Sequence, residues 1–292
     1  MSFIFKLYAY NRFRRLSGFI LMTLGLNLSA AGGGLAVLQY PITVRSAGMG
    51  QLLDPANTPT SLYRLPDRQA DVSAWQWISG VNGLAITVNR QPVAVTLNYF
   101  NIEGLQYRDD VPTELPRFEF GYSNAAVGVT IGRVFGKIQT AVNLQYLWER
   151  TLDYSAGGVD LNLAAALDIA ERLLLTGGVR NVGFMSDLNS ESSELPTAAF
   201  LQVGYSGDGL GITGELSNDD FPVKLGGEYT FLSIIHLYGG LQVGRDVDAA
   251  GMDYYPSAGF ELDFQTFTLG FALHQINHVL GPRQYIALAW RF

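Results

Sequence analysis

The chain has 292 residues, 48% of them hydrophobic and 15% charged, with a formal net charge of -7. Cysteine is absent, which excludes disulfides, thiolate metal sites, cysteine nucleophiles and a lipidated N-terminal cysteine. The acidic balance argues against nucleic acid, whose binding rests on clustered Lys and Arg. Abundant aromatics (17 Phe, 15 Tyr, 4 Trp) and 33 Gly favour strands and tight turns over helices.

Residues 1–30 read as an export signal. Lys6, Arg12, Arg14 and Arg15 precede an apolar run from Leu16 to Leu28, and small residues follow from Ser29 to Gly34. A membrane anchor is the alternative, but the run is short for the roughly 20 residues of a spanning helix. Cleavage is expected near Ala30 or Ala31. No other apolar run is long enough to span a bilayer as a helix, so residence in a membrane would require a closed barrel.

Residues 31–70 are expected to form a plug, or hatch. Between 32 and 68 the pattern is irregular, broken by Pro41, Pro55, Pro59 and Pro66. Its apolar residues, among them Leu38, Tyr40, Ile42, Met49, Leu52 and Leu53, favour burial over disorder.

From 71 to 292 a period of two recurs, as strands require. Ile138, Thr140, Val142, Leu144, Tyr146 and Trp148 share one face of their segment, opposite Gln139, Ala141, Asn143 and Gln145. Val159, Leu161, Leu163 and Leu167 oppose Asp160, Asn162 and Asp168. At the C-terminus Ile286, Leu288, Trp290 and Phe292 oppose Tyr285, Ala287, Ala289 and Arg291. Segments of about ten residues with an apolar face suit tilted membrane strands.

The predicted strands are 71–79, 83–89, 92–101, 117–135, 137–149, 157–169, 171–182, 196–205, 209–217, 221–231, 234–244, 254–264, 266–275 and 284–292. Splitting 117–135 at Ser123-Asn124 would break both the even count and the alternation of short and long connections. Kept whole, it predicts an all-β fold: a 14-stranded antiparallel transmembrane β-barrel with an N-terminal plug. Both termini then lie in the periplasm. Segments 102–116, 150–156, 183–195, 245–253 and 276–283 become outward loops.

Residues that could carry chemistry are few. His236, His274 and His278 are the only histidines. His274 and His278 sit in a strand and then a loop, so their spacing does not make a zinc site, and no metal or cofactor is expected. No spacing singles out a Ser–His pair, and the chain is read as a non-enzyme. Gly209-Leu210-Gly211-Ile212-Thr213-Gly214 spells a dinucleotide motif but runs from a turn into a strand, without the helix N-terminus that would hold a phosphate.

Ionisable groups expected to face the lumen are Lys137, Asp160, Asp168, Arg180, Lys224, Glu228, Glu261, Asp263, His274 and Arg291. Mutual pairing with each other, water and the plug is the first reading, and a polar solute route the second. Arg45, a lone charge in an apolar stretch, is expected to tie the plug to a wall carboxylate. The acidic segment around Asp187 and Glu191 reads as solvated loop or as a docking surface.

Several stretches bear a family likeness. Val44-Arg45-Ser46-Ala47-Gly48-Met49-Gly50 resembles the hatch motif of PorV/PorQ-like outer-membrane proteins, relatives of the FadL fatty-acid transporters. Gly177-Gly178-Val179-Arg180-Asn181-Val182-Gly183 is similar to that family's strand ending in Asn, a hydrophobic residue and Gly. Leu195-Pro196-Thr197 with Val203-Gly204-Tyr205, and Lys224-Leu225-Gly226-Gly227-Glu228-Tyr229, also match in order. The family's Asn-Pro-Ala triplet is replaced here by Asp54-Pro55-Ala56-Asn57.

The resemblance implies a fourteen-stranded barrel with a hatch in the outer membrane of a Gram-negative-type bacterium. It also implies a binding or assembly role in type IX protein secretion, with outer-membrane lipid around the barrel and secreted proteins or other secretion components on its outward loops. The alternative is a FadL-like channel for hydrophobic small molecules. That reading places a ligand pocket between plug and wall, near Arg45, Met49, Leu52 and Leu53.

Overall fold

A computed structural model describes residues 35–78, 80–107, 117–191, 193–245, 252–275 and 281–292. The expected signal peptide and His278 lie outside them, as do residues 108–116, 246–251 and 276–280 of the outward loops.

The chain closes a barrel of fourteen antiparallel strands. They are β1 (Arg68–Gln76), β2 (Val81–Arg90), β3 (Val93–Tyr107), β4 (Phe118–Phe135), β5 (Ile138–Thr151), β6 (Tyr154–Ala170) and β7 (Leu173–Met185). The second half comprises β8 (Ala198–Gly207), β9 (Leu210–Ser217), β10 (Val223–Phe231), β11 (Ile235–Arg245), β12 (Met252–Asp263), β13 (Phe267–Gln275) and β14 (Pro282–Arg291). β14 completes the ring on β1, from Gln69 opposite Arg291 to Gln76 opposite Gln284. Closure leaves no open edge, so every strand has ladder partners on both sides.

The alternation predicted from sequence decides which face is which. Ile286 is 65% exposed on the outside, whereas Tyr285 is 0% exposed on the inside. The outward apolar residues form a continuous belt that only lipid would tolerate. Many inward positions are small or polar, and several bond one another. Asn143 Nδ2 donates to Thr130 Oγ1 at 2.8 Å, while Gln145 and Asn162 both donate to Asp160 Oδ2, at 3.0 and 2.9 Å.

Phe118–Phe135 is one strand, as the alternation of connections required. Two outward connections are much shorter than expected. β3 runs on to Tyr107 past an irregularity between Ile102 and Leu105, where Gly104 has φ +71. The expected loop 150–156 is a tight turn at Leu152-Asp153, because Glu149 pairs with Ala156 and Leu147 with Gly158. Ser155-Ala156-Gly157-Gly158 lacks large side chains, so its period of two was invisible.

Residues 35–66 are irregular. A 3-10 turn spans Ala36–Gln39, the short helix α1 spans Val44–Gly48, and a second 3-10 turn spans Pro59–Arg64. Thr43 caps α1 by accepting from Ser46 N, satisfying one of its orphan donors. Asp54 orders the next turn by accepting from the backbone N–H groups of Ile42, Ala56 and Asn57. The segment packs on inward-facing wall residues of strands on both sides of the ring.

Candidate channel lumen

The wall meets the segment in three ways. Side chains reach its backbone: Asn98 Nδ2 donates to Val37 O at 2.8 Å, Ser257 Oγ to Gly48 O at 2.9 Å and Gln242 Nε2 to Gly50 O at 3.2 Å. Glycines let it approach. A Cβ on Gly240 would run into Gly50 N and Met49 C, and one on Gly226 into Met49 O. Charges complete the contact.

Arg45 donates to Glu228, with a closest approach of 2.6 Å. The ion pair matches the tie expected between the hatch-like motif and a wall carboxylate. Burial opposes the Arg45 charge, but Glu228, aided by Tyr238 and Glu261, raises its pKa above the ordinary value. Tyr238 donates to Glu261 Oε2 at 2.6 Å.

A second cluster lies nearer the outer end. Arg180 contacts Glu215 at 2.6 Å and Asp219 at 2.7 Å, and Lys224 stands 3.2 Å from each carboxylate. Gln202 Nε2 donates to Glu215 Oε2 at 2.6 Å and also reaches Thr58 Oγ1 of the segment. Asp219 sits in the turn between β9 and β10. Burial by itself would raise its carboxyl, but Lys224 and Arg180 bring the pKa down to about 2. Asp54 goes the other way: burial outweighs its three N–H donors and raises it.

The other sequence-predicted groups scatter. His274 is fully buried, with Nε2 3.0 Å from Gln242 Oε1. Because the Gln242 amide nitrogen donates to Gly50 O, its oxygen is left to accept, which assigns the His274 proton to Nε2. Asp263 takes a two-pronged contact from Arg291, at 3.0 and 2.6 Å, near the inner end. Asp168 is exposed at the inner mouth. Lys137 belongs to the turn between β4 and β5 and is exposed rather than lumen-facing, since the strand starts one residue later.

Met49, Leu52 and Leu53, proposed from sequence as pocket lining, form a closed packed cluster with Tyr238. The larger apolar cluster is elsewhere. Trp75, Phe100, Leu147 and Leu195 of the wall and outer connections surround Leu35, Val37 and Leu38, with Tyr40 and Tyr122 packed on them. Tyr40 lies 5.1 Å from both Trp75 and Phe100 between ring centroids, an edge-on packing distance for the first pair. Arg283 stacks 3.7 Å over Tyr40 and 4.5 Å over Trp75. Large aromatics at inward positions of β1, β3 and β4 were the available signal, hidden because large aromatics in such strands are expected to face lipid.

Cavities flank the segment. One of about 410 Å3 opens at the inner end between Arg45, Arg64, Asp168 and Glu228. One of about 50 Å3 lies on the outer side between Gln51, Asn57, Arg180, Asp219 and Lys224. Gln202 of β8 is hydrogen-bonded to Thr58 and Glu215.

Comparison with solved structures identifies the architecture. The monoaromatic hydrocarbon channel CymD superposes with a TM-score of 0.59 at 10% identity, covering 88% of this chain and 99% of CymD. The Ralstonia pickettii toluene transporter TbuX gives 0.56 at 10% identity, over 86% and 98%. A Pseudomonas aeruginosa FadL homologue gives 0.55 at 10% identity, over 90% and 100%. The chain shares the fold of these three proteins. No protein-family model matches the chain, and no curated protein does. The PorV/PorQ assignment therefore gains no support, while the broader FadL-like fold stands.

Asn181 explains one of the family-like motifs physically. It adopts φ +57, and its backbone N–H donates to Asn162 Oδ1 at 2.6 Å where the β6–β7 register shifts. Its amide donates to Pro196 O and its carbonyl accepts from Thr197 Oγ1. These side-chain bonds replace the ladder where β7 and β8 part above Arg180.

Proposed function

We infer that the chain is a non-enzymatic channel of a Gram-negative-type outer membrane, passing small hydrophobic molecules through a lumen closed by residues 35–66. The observation that carries this is the aromatic box of Trp75, Phe100 and Tyr122, filled by Leu35, Val37 and Leu38 of the same chain. A box that buries apolar side chains of its own chain offers an apolar passenger the same environment once those side chains withdraw. Likeness in fold to channels described as carrying monoaromatic hydrocarbons supports the reading. The secretion role expected from sequence has no comparable observation in its favour, and hydrophobic small molecules replace exported proteins as the proposed partners.

The test is accumulation of radiolabelled toluene by cells with an intact outer membrane, with and without the barrel. Expression should speed accumulation, and Phe100→Ala, which alters the box, should change the rate at equal amounts of folded barrel. Equal accumulation with and without the protein would overturn the proposal.

A further inference from the structure

The outer face of the barrel carries a groove of about 690 Å3 across β4 to β8. Strand register explains it. One outward row reads Arg133–Thr140–Ala165–Gly177, each opposite the next. The row above is Ile131–Val142–Leu163–Val179, and the row below is Phe135–Ile138–Leu167–Leu175. A line of small residues thus runs between two lines of large apolar ones. Arg133 is the end of that line closest to an inner turn, and the line climbs into the apolar belt away from it.

Arg133 is exposed and lies 5.0 Å over the Phe135 ring, and among the described residues no carboxylate pairs with it. Lys137, also exposed, follows in the adjoining turn. A cation at the water-facing end of an apolar trough matches a molecule with a phosphate head and a hydrocarbon tail. Arginine suits phosphate because its planar fork donates in pairs.

We propose that this groove is a binding site for a phospholipid of the inner leaflet, with its phosphate on Arg133 and Lys137 and one acyl chain laid over Thr140, Ala165 and Gly177. The site faces lipid, outside the lumen, and stands whether or not the barrel conducts. It gives the protein a preferred boundary lipid on one side of its wall.

The experiment is native mass spectrometry of the full barrel, stripped of lipid, refolded and titrated with dipalmitoylphosphatidylglycerol. Wild type should hold a stoichiometric adduct. Ala165→Phe, which fills the trough, and Arg133→Gln, which removes the charge, should each weaken it about tenfold, the scale of a lost charged hydrogen bond. Thr140→Leu fills the same row should Ala165→Phe fail to show the heat-modifiable migration of a folded barrel. Dipalmitoylglycerol, which lacks the phosphate, should bind wild type and Arg133→Gln alike. Equal phosphatidylglycerol adducts on wild type and both variants would overturn the site, and equal loss of dipalmitoylglycerol on Arg133→Gln would overturn the phosphate contact.

Discussion

On the β11–β13 side of the lumen, Gly48 to Gly50 meet the wall closely, admitted by Gly240 and pinned by Ser257 and Gln242. On the β7–β10 side the same segment faces Arg180, Glu215, Asp219, Lys224 and Gln202, with a cavity above and below. On the first side backbone packs against backbone; on the second, the hydrogen bond from Gln202 to Thr58 reaches the segment beside a charge network of the wall itself. Shape contacts lose their value with any added atom, whereas a charge network can rearrange as long as its sum stays near zero. If the proposed channel opens, the face of the segment toward β7–β10 is the one expected to yield.

The largest expected effect comes from unbalancing the charged side. Arg180→Ala leaves two buried carboxylates sharing Lys224, a loss on the order of 3–5 kcal/mol for a buried pair with one partner removed. Thermal unfolding in detergent should fall steeply. Arg180→Ala combined with Glu215→Gln should recover much of that loss, because the surviving pair is again balanced. A double variant no better than the single one would show that packing on Phe200, which Arg180 covers at 5.0 Å, matters more than charge.

On the opposite side, Gly240→Val places carbon atoms where Met49 and Gly50 backbone now lie. Overpacking of this kind typically costs about 1–3 kcal/mol, and the segment, not the barrel ladder, is what can yield. Heat-modifiable migration should survive while protease begins to cut within 35–66. Intact barrel with an uncut segment would mean that the wall bends instead, and shape would lose its assigned role.

The barrel was readable from sequence because lipid outside and water inside impose a period of two on every strand, with Ile286, Leu288, Trp290 and Phe292 its plainest case. The count of fourteen followed from the alternation of connections. The site was less readable. Charge pairing across a lumen depends on which strands face each other through the segment, and nothing local in Arg45 names Glu228 as its partner 183 positions away. Met49, Leu52 and Leu53 looked like pocket lining because apolar residues in an irregular stretch do not say whether they line a space or fill it. Trp75 and Phe100 were hidden for the opposite reason. Large aromatics were expected outward, at lipid, and these point in.

Acid should separate the two sides as well. The Asp219 carboxyl is held at about 2, below its ordinary 3.8, so it stabilises the folded state above pH 4 and loses that contribution as pH falls from about 4 to about 2. The shift corresponds to about 2 kcal/mol. Asp54, raised by burial, acts in the opposite sense, its protonation relieving a cost as pH drops. Melting of wild type and Asp219→Asn across this window should converge toward low pH. Parallel curves would show that Asp219 is not what acid removes.

Arg45→Ala is the smallest change and the one that tests where the two sides meet. The side chains of Arg45 and Glu228 are 23% and 20% exposed, beside the inner cavity, so water can take over much of what the guanidinium provides. A loss of about 1 kcal/mol is expected, nearer to a surface pair than to the Arg180 network. The barrel should melt almost as before, while the inner end of the segment becomes more open to hydrogen exchange at Leu62 to Leu65. Arg45→Lys should restore part of the protection, because a single cation on Glu228 suffices where no fork is used on both oxygens of a buried pair. If Arg45→Ala left both melting and exchange unchanged, the glycine contacts on the β11–β13 side would be enough to seat the segment, and the ion pair would be a consequence of that seating rather than a cause.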